Sequence, residues 1–366
     1  MYTFFIDENS KQNTTVNYLH ATDNDGINTI YGQIHYELKN GQNRFEINNE
    51  TGRIYTISKH PHQELDREEV DTFYLSVDAI DGGGLRSTAK VIVKLNDLND
   101  NPPQFVYSNA NNFFTGLIEE NSIKWLENVK LQSFDHDIGM NGAVVYKIVD
   151  GDCIDKFSID KKTNKLVLRE NVTLDFEELY ELKKSKKLFG SDDFANNTET
   201  PNDEIHLHLI VLVRDLGFPS QMTRTVVRII VKDVNDNSPK FDRKIYYGKV
   251  FETATYGDVL RVNATDIDAV GTPNSKVNYR IVNGSKEKFL IDANSGVIKI
   301  IPNASLDREL YGKNYTIEIV ANDFGANLAL FSSTSSEQMS NGDKCLVIID
   351  IIDVNNKKPY FLNEIK

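Results

Sequence analysis

Short runs of apolar, mostly β-branched residues alternate along this chain with polar segments rich in Asp, Asn and Gly. The clearest runs come in three pairs, each placed on either side of an Asp-containing turn. The pairs are residues 74–77 with 90–95, 206–213 with 225–231, and 315–320 with 345–352. Each pair predicts a β-hairpin, and convincing amphipathic helices are scarce. The pattern therefore predicts an all-β protein.

Four acidic motifs recur three times in the same order. They are Asp-x-Asp at 23–25, 135–137 and 266–268; Leu-Asp-x-Glu at 65–68, 174–177 and 306–309; a turn aspartate at 81, 215 and 323; and an Asp-x-Asn linker at 97–103, 233–239 and 353–359. Fixed order at each recurrence indicates tandem modules. Modules of this size with short strands predict seven-stranded Greek-key, immunoglobulin-like β-sandwiches arranged as an elongated rod.

The linkers set the expected boundaries of the modules. Repeat one covers residues 1–103, repeat two covers 104–240, repeat three covers 241–358, and 359–366 start a further repeat or form a tail. Repeat two is longer than repeat one between the Leu-Asp-x-Glu motif and the turn aspartate. The separation is 40 residues in repeat two (Asp175 to Asp215) and 15 residues in repeat one (Asp66 to Asp81). The excess, near residues 180–203, is polar, and we expect a solvated surface loop. A contact of its basic run, residues 183–187, with a partner is the alternative.

Composition excludes several classes of protein. The chain has 366 residues with 41 basic and 54 acidic side chains, a formal net charge of −13 that argues against nucleic acid or an anionic membrane surface as partner. Cys153 and Cys345 are the only cysteines, which excludes a disulfide scaffold and a multi-cysteine zinc site. No apolar stretch approaches the roughly 18 residues of a membrane span, and the first residues do not resemble a signal peptide.

The repeated acidic motifs indicate a hard cation. Two carboxylates in an Asp-x-Asp motif repel each other unless a cation lies between them. Ligand sets of carboxylates, Asn side chains and backbone carbonyls suit Ca²⁺, whereas the lack of Cys and His in the motifs makes zinc and copper poor candidates.

These motifs resemble those of the cadherin superfamily. The resemblance rests on five motifs that occur in the family's order. They are Glu-Asn near the start of a module, the loop Asp137-Ile-Gly-Met-Asn-Gly-Ala-Val-Val-Tyr146, Leu-Asp-Arg-Glu, Ala-x-Asp-x-Gly and the linker Asp-x-Asn-Asp-Asn-x-Pro. The resemblance covers nearly the whole chain outside the insertion. The lone tryptophan, Trp125, is far from the N-terminus, so the resemblance is to protocadherins or other non-classical members. In the family, Ca²⁺ ions lie between consecutive repeats.

The resemblance implies two complete ligand sets. The first junction would use Glu8, Asp66, Glu68, Leu98 (carbonyl), Asn99, Asp100, Asn101 (carbonyl), Asp135, Asp137, Asn141 (carbonyl) and Asp215. The second would use Glu120, Asp175, Glu177, Val234 (carbonyl), Asn235, Asp236, Asn237 (carbonyl), Asp266, Asp268, Asn274 (carbonyl) and Asp323. About three Ca²⁺ ions per junction would supply roughly +12 and offset nearly all of the formal −13.

The resemblance also implies a function. We expect calcium-dependent adhesion between cells, in which metal stiffens the junctions and an identical molecule on an apposed cell is the partner. The chain would be an extracellular fragment of a single-pass membrane protein, attached to the membrane by a segment absent here. A heterophilic, mechanical or signalling cadherin without self-adhesion is the alternative. A glycoside hydrolase with paired carboxylates is disfavoured, because catalytic pairs do not recur at successive junctions.

Both ends depart from the family pattern. Asp23, Asp25 and Asp81 face upstream, which implies a preceding repeat, with leftover surface carboxylates as the alternative; in that loop either Asn28 or the Tyr31 carbonyl would replace the usual Asn. After repeat three, Asn356 and Lys357 stand where Asp and Asn are expected. We expect Glu252, Asp307 and Glu309 there to hold one ion or none.

The remaining features concern packing and modification. We expect Trp125 to pack in the fold and not to dock a partner, Cys345 to be a core residue, and Cys153 to be an inert thiol, with pairing between molecules as the alternative. Eight glycosylation sequons agree with an extracellular glycoprotein. Their asparagines are Asn13, Asn49, Asn171, Asn196, Asn263, Asn283, Asn303 and Asn314.

Overall fold

A computed structural model describes residues 1–26, 29–41, 43–57, 65–107, 112–185, 203–284, 287–323 and 342–358. Within these residues the chain forms strands, two short α-helices and two 3-10 turns, the turns at Ile30–Gly32 and Ile154–Lys156. The fold is all-β, as predicted, and consists of three β-sandwich repeats in tandem.

Repeat one contains seven strands within the described residues. They are β1 (Tyr2–Asp7), β2 (Thr15–Tyr18), β3 (His35–Leu38), β4 (Phe45–Ile47), β5 (Arg53–Thr56), β6 (Thr72–Ile80) and β7 (Arg86–Asn96). They form one sheet in the order β1-β7-β6-β3 and a second in the order β2-β5-β4. Side chains alternate between buried and exposed along β6 and β7, because successive residues of a strand point to opposite faces.

Repeats two and three divide the equivalent strands into shorter pieces. Repeat two contains β8 (Gln104–Phe105), β9 (Phe114–Glu119), β10 (Trp125–Glu127), β11 (Ser133–Phe134), β12 (Val144–Gly151), β13 (Phe157–Ile159), β14 (Leu166–Leu168), β15 (Glu204–Asp215) and β16 (Met222–Lys232). Repeat three contains β17 (Lys240–Phe241), β18 (Ile245–Phe251), β19 (Gly257–Arg261), β20 (Ala264–Thr265), β21 (Asn278–Asn283), β22 (Phe289–Ile291), β23 (Val297–Ile300), β24 (Asn314–Asn322) and β25 (Asp343–Ile352).

The first strand changes sheets in both of these repeats. In repeat two β8 pairs with β11, whereas β9 pairs in parallel with β16. In repeat three β17 pairs with β20, whereas β18 pairs in parallel with β25. If each divided strand is counted once, the seven-stranded sandwich predicted from the sequence is recovered.

Each repeat has its own hydrophobic core. The largest buried side chains include Phe45 and Ile54 in repeat one, Phe157 in repeat two, and Phe289 in repeat three. One residue of repeat three, Ala269, belongs to the buried cluster of repeat two. Adjacent repeats are therefore joined at this point by apolar packing as well as by the linker.

One prediction about the insertion was wrong. Residues 180–184 do not belong to a loop but form the end of helix α1 (Phe176–Lys184). Asp175 caps the helix by accepting a hydrogen bond from the Glu178 backbone N–H, and Lys183 and Lys184 lie in its last turn, where cations are favourable. The other helix, α2 (Arg308–Tyr311), follows the same motif in repeat three. The rest of the insertion, residues 186–202, lies outside the described residues.

Candidate metal centres between the repeats

The parallel pairing of the first and last strands of each repeat places an acidic side chain next to the following linker. Asp7 on β1 pairs with Asn96 on β7, so Glu8 and the linker leave the sheet side by side. The Glu8 N–H donates to the Asn96 carbonyl at 3.1 Å. Glu120 and Glu252 occupy the same place after β9 and β18, and their N–H groups donate to the carbonyls of Lys232 and Ile352.

Glu8 and Glu120 fix the start of each linker. Glu8 is 1% exposed and accepts hydrogen bonds from the backbone N–H groups of Arg67 (2.9 Å) and Leu98 (2.7 Å). Glu120 is 3% exposed and accepts from Phe176 N–H (2.7 Å) and Val234 N–H (2.8 Å). In repeats one and two these bonds join the Leu-Asp-x-Glu turn to the linker. This is expected if the turn and the linker belong to the same site.

Carboxylates predicted as ligands converge at both junctions. Within each of four groups, carboxylate oxygens lie within 4.8 Å of one another. The groups are Glu8 with Asp66 and Glu68; Glu68 with Asp97 and Asp137; Glu120 with Asp175 and Glu177; and Glu177 with Asp233 and Asp268. Glu68 and Glu177 each belong to two groups and so connect the Leu-Asp-x-Glu turn of one repeat with the Asp-x-Asp loop of the next.

The linker asparagines connect the remaining predicted ligands. Asn99 Nδ2 lies 3.1 Å from Asp215 Oδ2, and Asn235 Nδ2 lies 2.8 Å from Asp323 Oδ1. Both aspartates are buried. Asp215 is the last residue of β15, and Asp323 directly follows β24.

The Asp-x-Asp loops contact the second asparagine of each linker motif. Asn101 Nδ2 donates to Asp137 Oδ1, and Asn237 Nδ2 donates to Asp268 Oδ1, each at 2.8 Å. On the exposed side, Asp100 and Asp236 accept hydrogen bonds from Asn9 and Asn121. Predicted ligand side chains from the preceding repeat, the linker and the following repeat therefore lie near one another at both junctions.

Several buried oxygens at these junctions have no hydrogen-bond partner among the residues that the structure describes. They belong to Asn99 (Oδ1) and Asp135 (Oδ2) at the first junction, and to Glu177 (Oε1), Asp266 (Oδ2) and Asp268 (Oδ2) at the second. Leaving a buried acceptor unpaired is costly in a folded protein. All five belong to predicted ligands and are hard oxygen donors, so the residues fit a Ca²⁺ site.

Burial raises the pKa of the junction carboxyls. Loss of solvation raises the pKa of Glu68, Glu120 and Asp268 to about 7. The pKa of Glu177 rises to about 8, first because of burial and second because of the nearby charge of Glu120. A bound cation would favour the ionised form of all four side chains.

Two residues at the junctions were missed as functional residues. Asp97 and Asp233, the first residues of the linker motifs, lie in the acidic groups. Asp97 Oδ2 accepts from Asn141 Nδ2 at 2.8 Å, and Asp233 Oδ2 accepts from Asn274 Nδ2 at 2.6 Å. Their recurrence at the same motif position was the available signal. Asn141 and Asn274, predicted to bind metal through their carbonyls, thus have side chains anchored to the linker.

The linker after repeat three places a lysine ammonium group next to its acidic side chains. Lys357 Nζ lies 2.6 Å from Asp307 Oδ2 and 3.9 Å from Glu309 Oε2, while Asn356 Nδ2 donates to Glu252 Oε1 at 3.1 Å. The contact between Lys357 and Asp307 raises the pKa of the lysine and lowers the pKa of the aspartate. The three carboxylates thought to hold one ion or none are thus already engaged by side chains of the linker.

At the other end, Asp23, Asp25 and Asp81 form a further acidic group. That this group is an upstream half-site stays a prediction, with surface carboxylates as the alternative. Tyr31 lies in the 3-10 turn that follows, and Asn28 lies outside the described residues. Replacement of the usual asparagine by one of these two residues stays a prediction.

The other predicted residues lie as follows. Trp125 is partly buried and packs against the core of repeat two. Cys345 is buried in β25, Cys153 is partly buried before a 3-10 turn, and both are free thiols. Among the described residues, no helix is long and apolar enough to cross a membrane.

Seven of the eight sequon asparagines fall in the described residues, and all seven are exposed. Asn196 lies outside them. Exposure is a requirement for modification of these sites, and the described asparagines satisfy it.

Comparison with known proteins identifies the repeats. The family model for the cadherin domain matches residues 2–96 and 246–336, which fall in repeats one and three. The Fat-like cadherin-related tumor suppressor homolog of Drosophila melanogaster is 34% identical over 367 residues, covering 98% of this chain and 7% of that protein. Cadherin-7 of Gallus gallus is 32% identical over 375 residues, covering 99% of this chain and 42% of that protein. This chain therefore spans less than half the length of these relatives.

Solved structures share the fold. The crystal structure of mouse cadherin-23 EC22-24 superposes with a TM-score of 0.69 at 22% identity, covering 96% of both chains. That of the protocadherin GammaB4 extracellular domain superposes with a TM-score of 0.67 at 24% identity, covering 97% of this chain and 49% of that one. The structure of repeat two, outside the matched ranges, follows the same plan as its neighbours.

Proposed function

The chain belongs to the cadherin superfamily, and on that premise we propose that it is an extracellular adhesive segment whose repeats are held in a fixed relative orientation by Ca²⁺. One observation carries this proposal. Among the described residues, buried oxygens without hydrogen-bond partners occur at predicted ligands of both junctions. They come from the linker and the following repeat at the first junction, and from the preceding and the following repeat at the second. A cation that takes ligands from all three parts can restrain the angle between repeats.

The protein's own residues divide this task. Glu8 and Glu120 fix the linker start, Glu68 and Glu177 contribute carboxylates from the preceding repeat, and the Asp-x-Asp loops contribute them from the following repeat. Bound Ca²⁺, about three ions per junction, would neutralise these charges and bridge the oxygens. Without metal, the repulsion among the carboxylates favours separation of the repeats. The same carboxylates then account for most of the net negative charge of the chain and, with calcium bound, stiffen the chain into a rod.

The chemistry of the surface agrees with an extracellular setting. The described sequon asparagines are all exposed, and ion concentrations outside cells can fill sites with dissociation constants of roughly 10⁻⁴–10⁻³ M. We place the chain on the extracellular side of the plasma membrane as part of a longer, membrane-attached protein. An identical molecule on another cell is the proposed partner.

Calcium titration followed by calorimetry and small-angle X-ray scattering tests the metal part. The 366-residue chain, freed of calcium by a chelator that is then removed, should bind about six Ca²⁺ ions and become stiffer as they bind. The variant Asp137→Asn/Asp268→Asn should bind more weakly at both junctions. Asp160→Asn/Asp292→Asn is a matched control, because those aspartates accept hydrogen bonds from neighbouring turn residues far from the linkers. Identical scattering with calcium and with chelator would refute the proposal.

Bead aggregation tests the adhesive part. Beads coated with this chain alone, or with a longer protein that contains it, should aggregate in calcium and disperse in chelator. Calcium binding without aggregation of the longer protein would leave the stiffening role intact and favour heterophilic binding or mechanical tethering.

A further inference from the structure

One difference between the two junctions is the residue between Asp and Glu in the Leu-Asp-x-Glu motif, here called the x position. It is Arg67 in repeat one, Phe176 in repeat two and Arg308 in repeat three. The backbone plays the same part at the first two, since both N–H groups donate to the buried glutamate, Glu8 or Glu120. Only the side chains differ.

Arg67 reaches from repeat one to repeat two. Its Nε lies 2.5 Å from Asp97 Oδ1 in the linker, and its Nη2 donates to the His136 carbonyl of repeat two at 2.8 Å. The same guanidinium pairs with Glu68, and the side chain is 11% exposed. A planar guanidinium with several donors suits simultaneous contacts of this kind, and partial burial strengthens them.

The side chain of Phe176 is buried in the core of its own repeat. It is 2% exposed and lies in the buried cluster of repeat two. That cluster includes Ala269 of repeat three, which is 3% exposed. Ile138 follows the Asp-x-Asp motif of repeat two as Ala269 follows that of repeat three, yet Ile138 is 57% exposed. At the second junction, repeat three therefore joins the apolar cluster that contains Phe176. At the first junction the equivalent residue is exposed, and the arginine contacts are present instead.

Arg308 supplies the comparison within the chain. Within the described part of the chain, its one ion pair with the following linker is to Asp353 at 3.6 Å, and the Asp353 side chain is 62% exposed. Solvent-exposed pairs of this kind contribute little to stability.

We infer that the x position supplies a metal-independent contact between consecutive repeats, ionic through Arg67 at the first junction and apolar through Phe176 at the second. These contacts retain part of the junction's order when calcium is removed. The inference concerns the calcium-free state, and so it adds to the proposed stiffening by calcium without depending on the number of ions bound.

Hydrogen–deuterium exchange of the full chain tests the inference, read on peptides covering residues 96–105 and 232–241 in chelator and in saturating calcium. Arg67→Leu should raise exchange of the first peptide about tenfold in chelator and leave the second unchanged, because it removes charged contacts across the junction. Saturating calcium should largely restore protection. A purely structural role of Arg67 within repeat one would instead lower protection equally with and without calcium. Arg67→Lys should show a smaller effect.

Phe176→Leu should selectively raise exchange of the second peptide in chelator, and Ala269→Ser tests the same contact from the other side without touching a large core residue. Arg308→Leu is the matched control and should change neither peptide. Unchanged exchange in chelator for both Arg67→Leu and Ala269→Ser would overturn the inference. If calcium has no effect on either peptide of the unmodified chain, the proposed calcium stiffening fails, whatever the variants show.

Discussion

The side-chain amide of Asn141 donates to Asp97 Oδ2 at 2.8 Å, which joins the first linker to a loop of repeat two. Asn274 and Asp233 repeat this contact at the second junction at 2.6 Å. The backbone N–H of Ala269 also donates to Asp233 Oδ1 at 3.1 Å. The first aspartate of each linker therefore holds the loop that carries the predicted carbonyl ligand.

Replacing this aspartate should weaken calcium binding at one junction. Asp233→Ala leaves the Asn274 amide without its partner and should lower affinity at the second junction by roughly tenfold to a hundredfold, the usual cost of losing a residue that orients metal ligands. Calorimetric titration measures the change. Asp353→Ala, the third copy of the motif and an exposed residue, is the control. Unchanged affinity in Asp233→Ala would contradict the anchoring role.

The third linker should gain calcium binding when its lysine is removed. Lys357 Nζ now lies against Asp307, so the double variant Asn356→Asp/Lys357→Asn adds a carboxylate and frees the existing ones. We expect additional binding in the titration, weak and in the range of roughly 10⁻⁴–10⁻³ M. Lys357→Gln alone separates the loss of the ammonium from the gain of a carboxylate. No added binding in the double variant would show that Lys357 does not control this site.

Protons should oppose calcium at the second junction. In the metal-free protein, burial raises the pKa of Glu120 to about 7 and that of Glu177 to about 8, from an ordinary value of 4.5. Groups with a raised pKa in the folded state favour the closed junction at low pH, and this contribution is lost as pH rises from about 4.5 through about 8. Exchange of peptide 232–241 in chelator should therefore be slower at pH 6 than at pH 8, after correction for intrinsic exchange rates.

Calcium binding should show the opposite pH dependence. Ligand carboxyls must release their protons to bind metal, so apparent affinity should fall between pH 8 and pH 6. Calorimetry at constant ionic strength measures this. Equal affinity at both pH values would show that these carboxylates are ionised throughout the range.

A core substitution should act on one repeat alone. Ile317 lies fully buried in the core of repeat three, and Ile317→Ala should destabilise this repeat by about 2–5 kcal/mol. Exchange of β24 and β25 should rise, while that of β6 and β7 in repeat one should not. The exposed substitution Thr316→Ala on the same strand is the control. An equal loss of protection in repeat one would show that the repeats unfold together.

Local sequence predicted the sheets well, because hairpin strands such as β15 and β16 have a clear apolar pattern with a turn between them. It predicted helix α1 poorly, although Asp175 and Glu178 have the spacing of a helix start and two lysines end the segment. The polar composition of this segment, typical of a loop, outweighed those signals.

The sequence by itself determined the three repeats, their order and the residue types offered to a metal, because motif order and donor chemistry are properties of the chain. Only the tertiary structure decided which of these residues meet. Parallel pairing of β1 with β7 brings Glu8 to a linker 90 residues away, and it is this folding that gives Asp97 its neighbours. Whether Arg67 crosses to the next repeat, and Phe176 packs inward, depends on distances between side chains that no linear pattern specifies.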